Sequence, residues 1–249
     1  MCTFIMLYKL LKDYPVVALH NRYLGLDTRE EPPKSWGNGV YAPYDFASNG
    51  TWIGINRDGL LMAITNQETQ TIAKPGRSRG LLALDVLREC ASSNEARDYL
   101  NDGSIRGQYR TGNFVLADSD NAYHVLWDAI TLTREIKSGP YALGVITRYP
   151  GLEISGRASE IWHSSESRRL RAYRLLSQFK PSGIDDAISK MMEVSEDHEY
   201  GKTTGSICWH SDKFRQTSST ILAPGAYPRV LYCAGNHCEN DFVEQRVSF

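Results

Sequence analysis

Cys2 stands one residue behind the initiator methionine and directly ahead of the apolar run Thr3-Phe4-Ile5-Met6. Cysteine is small enough at that position for a methionine aminopeptidase to trim the chain. Removal of Met1 would leave one residue carrying both a thiol and a free α-amine, whose reference pKa values, about 8.5 and about 7.7 to 8.0, populate both reactive forms near neutral pH. A nucleophile needs an adjacent base, and here the base would belong to the nucleophile's own backbone. The chemistry such a terminus supports is acyl transfer through a thioester.

Other reactive constellations are absent from the sequence pattern. The six histidines (His20, His124, His163, His198, His210, His237) have no H-E-x-x-H spacing, and the five cysteines (Cys2, Cys90, Cys208, Cys233, Cys238) have no C-x-x-C spacing. Neither a metal nor any other cofactor is therefore assigned. A net charge of -1 with a pI near 6.6 argues against nucleic acid or an anionic membrane as partner. Lys9, Lys12 and Asp13 follow only a few apolar residues, which does not make a secretory signal, and no apolar stretch approaches a membrane span. An odd number of thiols without a signal segment fits a reducing cytoplasm. At 249 residues the chain is expected to form one domain, 1–249, with a core of its own. Whether it assembles into a homo-oligomer is left open.

The elements that must hold Cys2 begin at Cys2 itself. Residues 2–8 and 15–21 read as a hairpin, followed by a long loop over 25–49 rich in Gly, Pro and Asn. Asn56-Arg57-Asp58-Gly59 marks the clearest hairpin, between strands 51–55 and 60–66, and Asn66 ends its second strand. Ser78 caps a predicted helix over 78–90, and a short helix follows over 94–100. Strands are expected over 113–117, 122–127, 130–136 and 141–146, helices over 160–179 and 182–194, and final strands over 206–210, 217–223, 229–234 and 242–249. The arginine run Arg168, Arg169, Arg171, Arg174 reads as a solvated helix face. This order of strands and paired helices suits antiparallel sheets covered by helices, an α+β layered fold.

Met1-Cys2-Thr3, Asn21-Arg22, Gly50-Thr51-Trp52-Ile53-Gly54-Ile55 through Thr65-Asn66, and Ser78-Arg79-Gly80-Leu81-Leu82 resemble, in residues and order, the NRDE family of transport and Golgi organisation type. Gly112-Asn113-Phe114-Val115-Leu116-Ala117-Asp118, Ser206-Ile207-Cys208-Trp209-His210, Thr217 to Leu222 and Gly235-Asn236-His237-Cys238-Glu239-Asn240 are similar to the acyltransferase-like N-terminal nucleophile (Ntn) hydrolases, of which choloylglycine hydrolases are cousins. The resemblance implies a four-layer αββα Ntn-hydrolase sandwich whose first strand presents the cysteine. It implies Cys2 as nucleophile, Asn66 as oxyanion donor, Arg22 beside the thiol and Arg215 as a second arginine. The implied activity is that of a cysteine amidohydrolase or acyltransferase acting on a small-molecule acyl substrate. The alternative is a non-catalytic carrier or trafficking factor that keeps the scaffold and binds a lipid-like or haem-like ligand.

Two departures from the family pattern matter. Tyr23-Leu24-Gly25 stands where NRDE proteins carry Asp-Glu, leaving Asp27 as the nearest carboxylate in sequence. The second oxyanion asparagine of the relatives would fall near Gly144-Val145-Ile146-Thr147, where no asparagine exists.

Overall fold

The structure, a computed structural model, describes residues 2–69, 76–154 and 156–249. Among the described residues, thirteen strands form two antiparallel sheets, one of six strands in the order β10-β1-β2-β11-β12-β13 and one of seven in the order β3-β4-β5-β6-β7-β8-β9. In the first sheet β1 (Cys2–Tyr8) lies between β10 (Gly139–Leu143) and β2 (Val16–Gly25), and β2 pairs on its other side with β11 (Phe214–Ala223), followed by β12 (Arg229–Ala234) and β13 (Val243–Glu244). The second sheet holds β3 (Glu30–Ser35), β4 (Val40–Asp45), β5 (Ile53–Asn56), β6 (Leu61–Asn66), β7 (Gly112–Ala117), β8 (Ala122–Trp127) and β9 (Thr131–Glu135).

Three apolar clusters define four layers. Phe4, Met6, Tyr8, Val16 and Ala18 of the first sheet meet Ile53, Ile55, Leu61, Ala63 and Val115 of the second. On its outer face the second sheet is covered by α1 (Arg79–Glu89) and α2 (Ser93–Asn101) through Leu82, Val86, Leu87 and Leu100 against Met62, Phe114 and Trp127. The first sheet is covered by α4 (Arg157–Leu176) and α5 (Ile184–Ser195) through Ala172, Leu176, Ile188 and Met191 against Ile5, Leu7, Val17 and Leu19. Since side chains alternate faces along a strand, even-numbered residues of β1 point between the sheets and odd-numbered ones toward the helices. Both faces are covered, which is why β1 is buried at all seven positions. The fold is the α+β αββα sandwich.

Local chemistry matches the elements. The Asn56 side chain accepts from the backbone N–H of Asp58 (3.1 Å) and Leu60 (3.0 Å), while Gly59 sits at φ +88, a turn Gly and Asn are suited to make. The Ser78 hydroxyl caps α1 by accepting from Gly80 N–H at 3.1 Å.

Four expectations are corrected. The 25–49 segment contains β3 and β4; Pro32 and Pro33 lie on an edge strand at a register shift between Glu31 and Lys34, where no ladder donor is lost. A short α3 (Gly103–Arg106) was not expected. The 206–210 run is no strand, although Ser206, Ile207, Cys208 and Trp209 are buried, and the 242–249 strand shrinks to Val243–Glu244. Arg168 faces the core and not solvent: it is 0% exposed, its Nε donates to Thr3 Oγ1 at 3.0 Å, it bonds Thr204 O, and it stacks on Tyr23 and Trp209. Among the described residues no helix is long and apolar enough to cross a membrane.

Candidate active site

The β1–β2 register sets Cys2 opposite Arg22 and Phe4 opposite His20, so the thiol, the guanidinium and the imidazole share the inter-sheet face at one end of the first sheet. Asn21, one position on, points the other way. Its carboxamide donates to Gln216 Oε1 (3.2 Å) and accepts from Ser195 Oγ (3.2 Å), a buried network that ties β2 to β11 and α5. The Asn21-Arg22 pair therefore splits into a structural pin facing the helices and a cation facing the site.

Around Cys2 opens a cleft of about 300 Å³ lined by Arg22, Asp45, Trp52, Asn66, Arg79 and Arg110 among others. Arg22 is 6% exposed and held on three sides: Glu30 binds Nη1, Asp45 Oδ2 lies 2.8 Å from Nη2, and the Trp52 ring sits 3.9 Å below it. Glu30 also accepts from Tyr232 Oη at 3.2 Å. The carboxylates lacking after Arg22 in sequence are thus supplied by β3 and β4. Asp27 is exposed and makes no such contact among the described residues.

Asn66 ends β6 at the opposite wall. Its backbone carbonyl accepts from Ile146 N–H (3.0 Å) and from Asn113 Nδ2 (3.1 Å), which anchors the strand end. Its side-chain Oδ1 accepts from Arg79 Nη2 at 2.7 Å, so the amide N–H₂ must face away from Arg79, and one of its protons goes to Glu68 Oε1 at 3.0 Å. The second N–H of that amide is left for another acceptor. Arg79 opens α1, whose close approach depends on two glycines: a Cβ on Gly50 would lie 2.4 Å from the Gly80 backbone, and one on Gly80 would lie 2.7 Å from Thr51 O. That contact packs the Gly50-Thr51 and Arg79-Gly80 backbones directly against each other.

The thiol is buried yet acidic. Burial raises its pKa, but His20, the N-terminal ammonium and Arg22 outweigh that and bring it from 9.0 to about 6. His20 Nε2 lies 2.9 Å from Ile64 O, which requires the proton on Nε2; the buried Nδ1 meets no hydrogen-bond partner at normal distance among the described residues, although the nearby imidazole is one of the groups that lower the Cys2 thiol. Burial lowers the pKa of Arg79 and of Arg168, while the Cys2 charge acts in the opposite direction on both. A thiolate at this position thus has several cations around it.

The structure brings Cys2, Arg22 and Asn66 into one cleft and leaves Arg215 outside it. Arg215 is exposed, paired in register with Leu24, and a bulge between Gln216 and Ser218 puts Ser218 opposite Arg22. Where the second asparagine was sought, Ile146 adopts φ +64, a left-handed conformation strained for a β-branched residue, and donates its N–H to Asn66 O. Met1 lies outside the described residues. The sequence reading missed His20, Arg79, Arg168, Glu30 and Asp45. Alternation from Cys2 would have flagged His20, which shares the face of Arg22 two positions away; the others depend on tertiary contacts.

The model of the Transport and Golgi organisation 2 family matches residues 1–227 of this chain. No curated protein matches by sequence. Among solved structures, penicillin V acylase from Agrobacterium tumefaciens superposes with a TM-score of 0.55 at 13% identity, covering 94% of this chain and 83% of its own. The Caenorhabditis elegans ortholog of N-acylethanolamine-hydrolyzing acid amidase gives 0.58 at 13% identity, covering 90% and 93%. The C2A mutant of conjugated bile acid hydrolase from Clostridium perfringens gives 0.59 at 12% identity, covering 100% and 97%. At these identities the likeness concerns the fold.

Proposed function

This chain belongs to the Transport and Golgi organisation 2 family, and from that membership and the cleft just described we propose that it is an N-terminal cysteine amidohydrolase or acyltransferase, folded as one Ntn-hydrolase-like domain over residues 1–249. The observation that carries the reading is the cleft at the end of β1, where Cys2 stands opposite Arg22 and faces the side-chain amide of Asn66. Removal of Met1 frees the Cys2 α-amine. The thiolate attacks an amide or thioester carbonyl, a C–S bond forms, and the oxyanion is met by the unengaged N–H of Asn66 and by backbone N–H groups. The proton from the thiol, held by the α-amine or by His20 Nδ1, passes to the leaving amine as the C–N bond of an amide breaks, or to the leaving thiolate as the C–S bond of a thioester breaks. Water or an acceptor amine then cleaves the thioester and restores the thiol. The guanidinium groups of Arg79 and Arg110 on the cleft wall favour acyl compounds that carry a carboxylate or phosphate.

A panel of acyl-amides, lactones and acyl-thioesters offered to the trimmed protein tests this reading. Turnover by the wild type, abolished in Cys2→Ala and by acetylation of the α-amine, is expected; turnover that survives Cys2→Ala overturns it. The carrier reading draws on the engagement of Asn66 Nδ2 by Glu68 and on Ile146 in place of a second asparagine. It predicts ligand binding that survives Cys2→Ala with no acyl-enzyme on any substrate.

A further inference from the structure

Far along the chain from Cys2, four side chains of metal-ligating type converge from three segments. His198 follows the end of α5, Cys208 and His210 lie in the buried run before β11, and Cys238 sits in a single helical turn, His237–Glu239, after β12. One ligand atom from each lies within 4.8 Å of all the others. His198 Nε2 is 3.0 Å from His210 Nε2, Cys208 Sγ is 3.5 Å from His210 Nε2, Cys238 Sγ is 3.3 Å from it, and the two sulfurs are 3.4 Å apart. Zinc bonds of about 2.3 Å to sulfur and about 2.0 to 2.1 Å to nitrogen, set at tetrahedral angles, put ligand atoms about 3.3 to 3.8 Å apart. These four separations fall in or close to that range, and the two between His198 and the sulfurs are within 4.8 Å.

We propose that His198, Cys208, His210 and Cys238 form a closed, structural Zn²⁺ site. The surroundings are built for one. Glu239 Oε1 stands 3.6 Å from His210 Nδ1, the carboxylate partner that orients a metal-bound imidazole through its far nitrogen. Asn236 Nδ2 donates to Cys208 Sγ at 3.4 Å and to Trp209 O at 2.9 Å, which fixes the sulfur and its segment together. The two Nε2 atoms face each other at 3.0 Å and share one proton as a hydrogen bond; with both imidazoles in the Nδ1–H tautomer, both Nε2 lone pairs are free for a cation. Two thiolates and two neutral imidazoles balance the charge of one Zn²⁺, and binding releases two thiol protons to solvent. Four protein ligands leave no open position, which separates this site from a catalytic zinc.

Its place in the fold indicates its work. The metal joins the end of α5, the 206–210 segment and the 237–239 turn, none of which has strand pairing of its own. The 206–210 segment receives the Tyr23 hydroxyl on Ile207 O (2.7 Å) and gives Cys208 N–H to Asp197 O (3.0 Å). It leads into β11, whose Ser218 lies opposite Arg22. Ligand spacing alone pointed away from a metal, because the pattern His-x9-Cys-x-His-x27-Cys is assembled by tertiary structure and not by a local loop.

The test uses the full chain, reduced with a phosphine, stripped with a chelator and dialysed against ZnCl₂ or CoCl₂. One equivalent of Zn²⁺ per chain is expected, with a Tm about 5 to 10 °C above that of the stripped protein when the metal is at a hundredfold excess over its Kd. Co²⁺ should show tetrahedral d–d bands and a thiolate charge-transfer band. Cys238→Ser, at an exposed position that leaves the core intact, and His198→Asn should both lose the bound equivalent and the Tm gain. Cys2→Ala should bind the full equivalent, so the site stands or falls apart from the proposed catalysis. Substoichiometric uptake by reduced wild type overturns the proposal. So does uptake unchanged in both ligand variants, a cobalt spectrum without thiolate charge transfer, or a Cys208–Cys238 disulfide whose reduction brings no metal uptake.

Discussion

Replacing His20 by Gln tests what makes the Cys2 thiol acidic. Glutamine keeps a donor for the Ile64 carbonyl, now 2.9 Å from His20 Nε2, but removes the imidazole whose charge is the largest influence lowering the thiol pKa. The full displacement from 9.0 to about 6 corresponds to about 4 kcal/mol in favour of the thiolate. At pH 7 a thiol titrating at about 6 is about nine-tenths ionised, and one titrating near 8.5 only about 3%. Rate at a single pH is a poor readout, however, because nucleophilicity rises with pKa at a Brønsted slope of about 0.4 to 0.5, which returns roughly tenfold of that roughly thirtyfold loss. The inflection of the pH profile carries no such cancellation. Alkylation of Cys2, followed peptide by peptide in the mass spectrometer from pH 4 to 10, should inflect near 6 in the wild type and at least about one pH unit higher in His20→Gln, with a faster plateau at high pH. A wild-type inflection at 8.5 or above, or one unmoved by the substitution, refutes the electrostatic account.

Asn66→Ala should lower kcat about 100- to 1000-fold while Cys2 still alkylates normally, read by steady-state kinetics beside labelling. Arg168→Met, which keeps most of the packing on Tyr23 and Trp209, should fold and raise the Cys2 inflection, whereas Arg168→Ala should lose about 3 to 5 kcal/mol in urea unfolding. Gly80→Ala should displace α1 from Thr51 O and lower activity and Tm together, because the added Cβ meets backbone at 2.7 Å. Since the folded thiol titrates below its unfolded value, thiolate-linked stability is present above about pH 9 and lost as pH falls through about 6. Urea midpoints of wild type, referenced to Cys2→Ser, should therefore rise across that window.

The layers and the thiol's position were legible because they depend on local rules. The apolar run over 2–8, the Asp58-Gly59 turn and the Ser78 cap identify strands and helix ends from neighbouring residues alone. Cys2 stands out by its place behind the initiator methionine, whereas Arg22 and Asn66 are flagged through the family resemblance; the structure brings all three into one cleft. The carboxylates on Arg22 were not legible, since Glu30 and Asp45 reach it from strands that the proline pair disguises as loop. Arg168 was read as solvated because a charge on a helix says nothing about the strand residue, here Thr3, toward which the helix turns it. Arg215 lies outside the cleft for a related reason: the bulge before Ser218 shifts the register, and register is invisible in one strand's sequence.

Trapping the acyl-enzyme measures the central claim most directly. Intact-mass analysis of trimmed protein quenched in acid during turnover of an acyl-thioester or amide should show one added acyl group per chain, mapped to the Cys2 peptide and discharged by hydroxylamine. Protein that retains Met1, or an acyl adduct that appears equally on Cys2→Ala, would contradict an N-terminal thiol as the nucleophile.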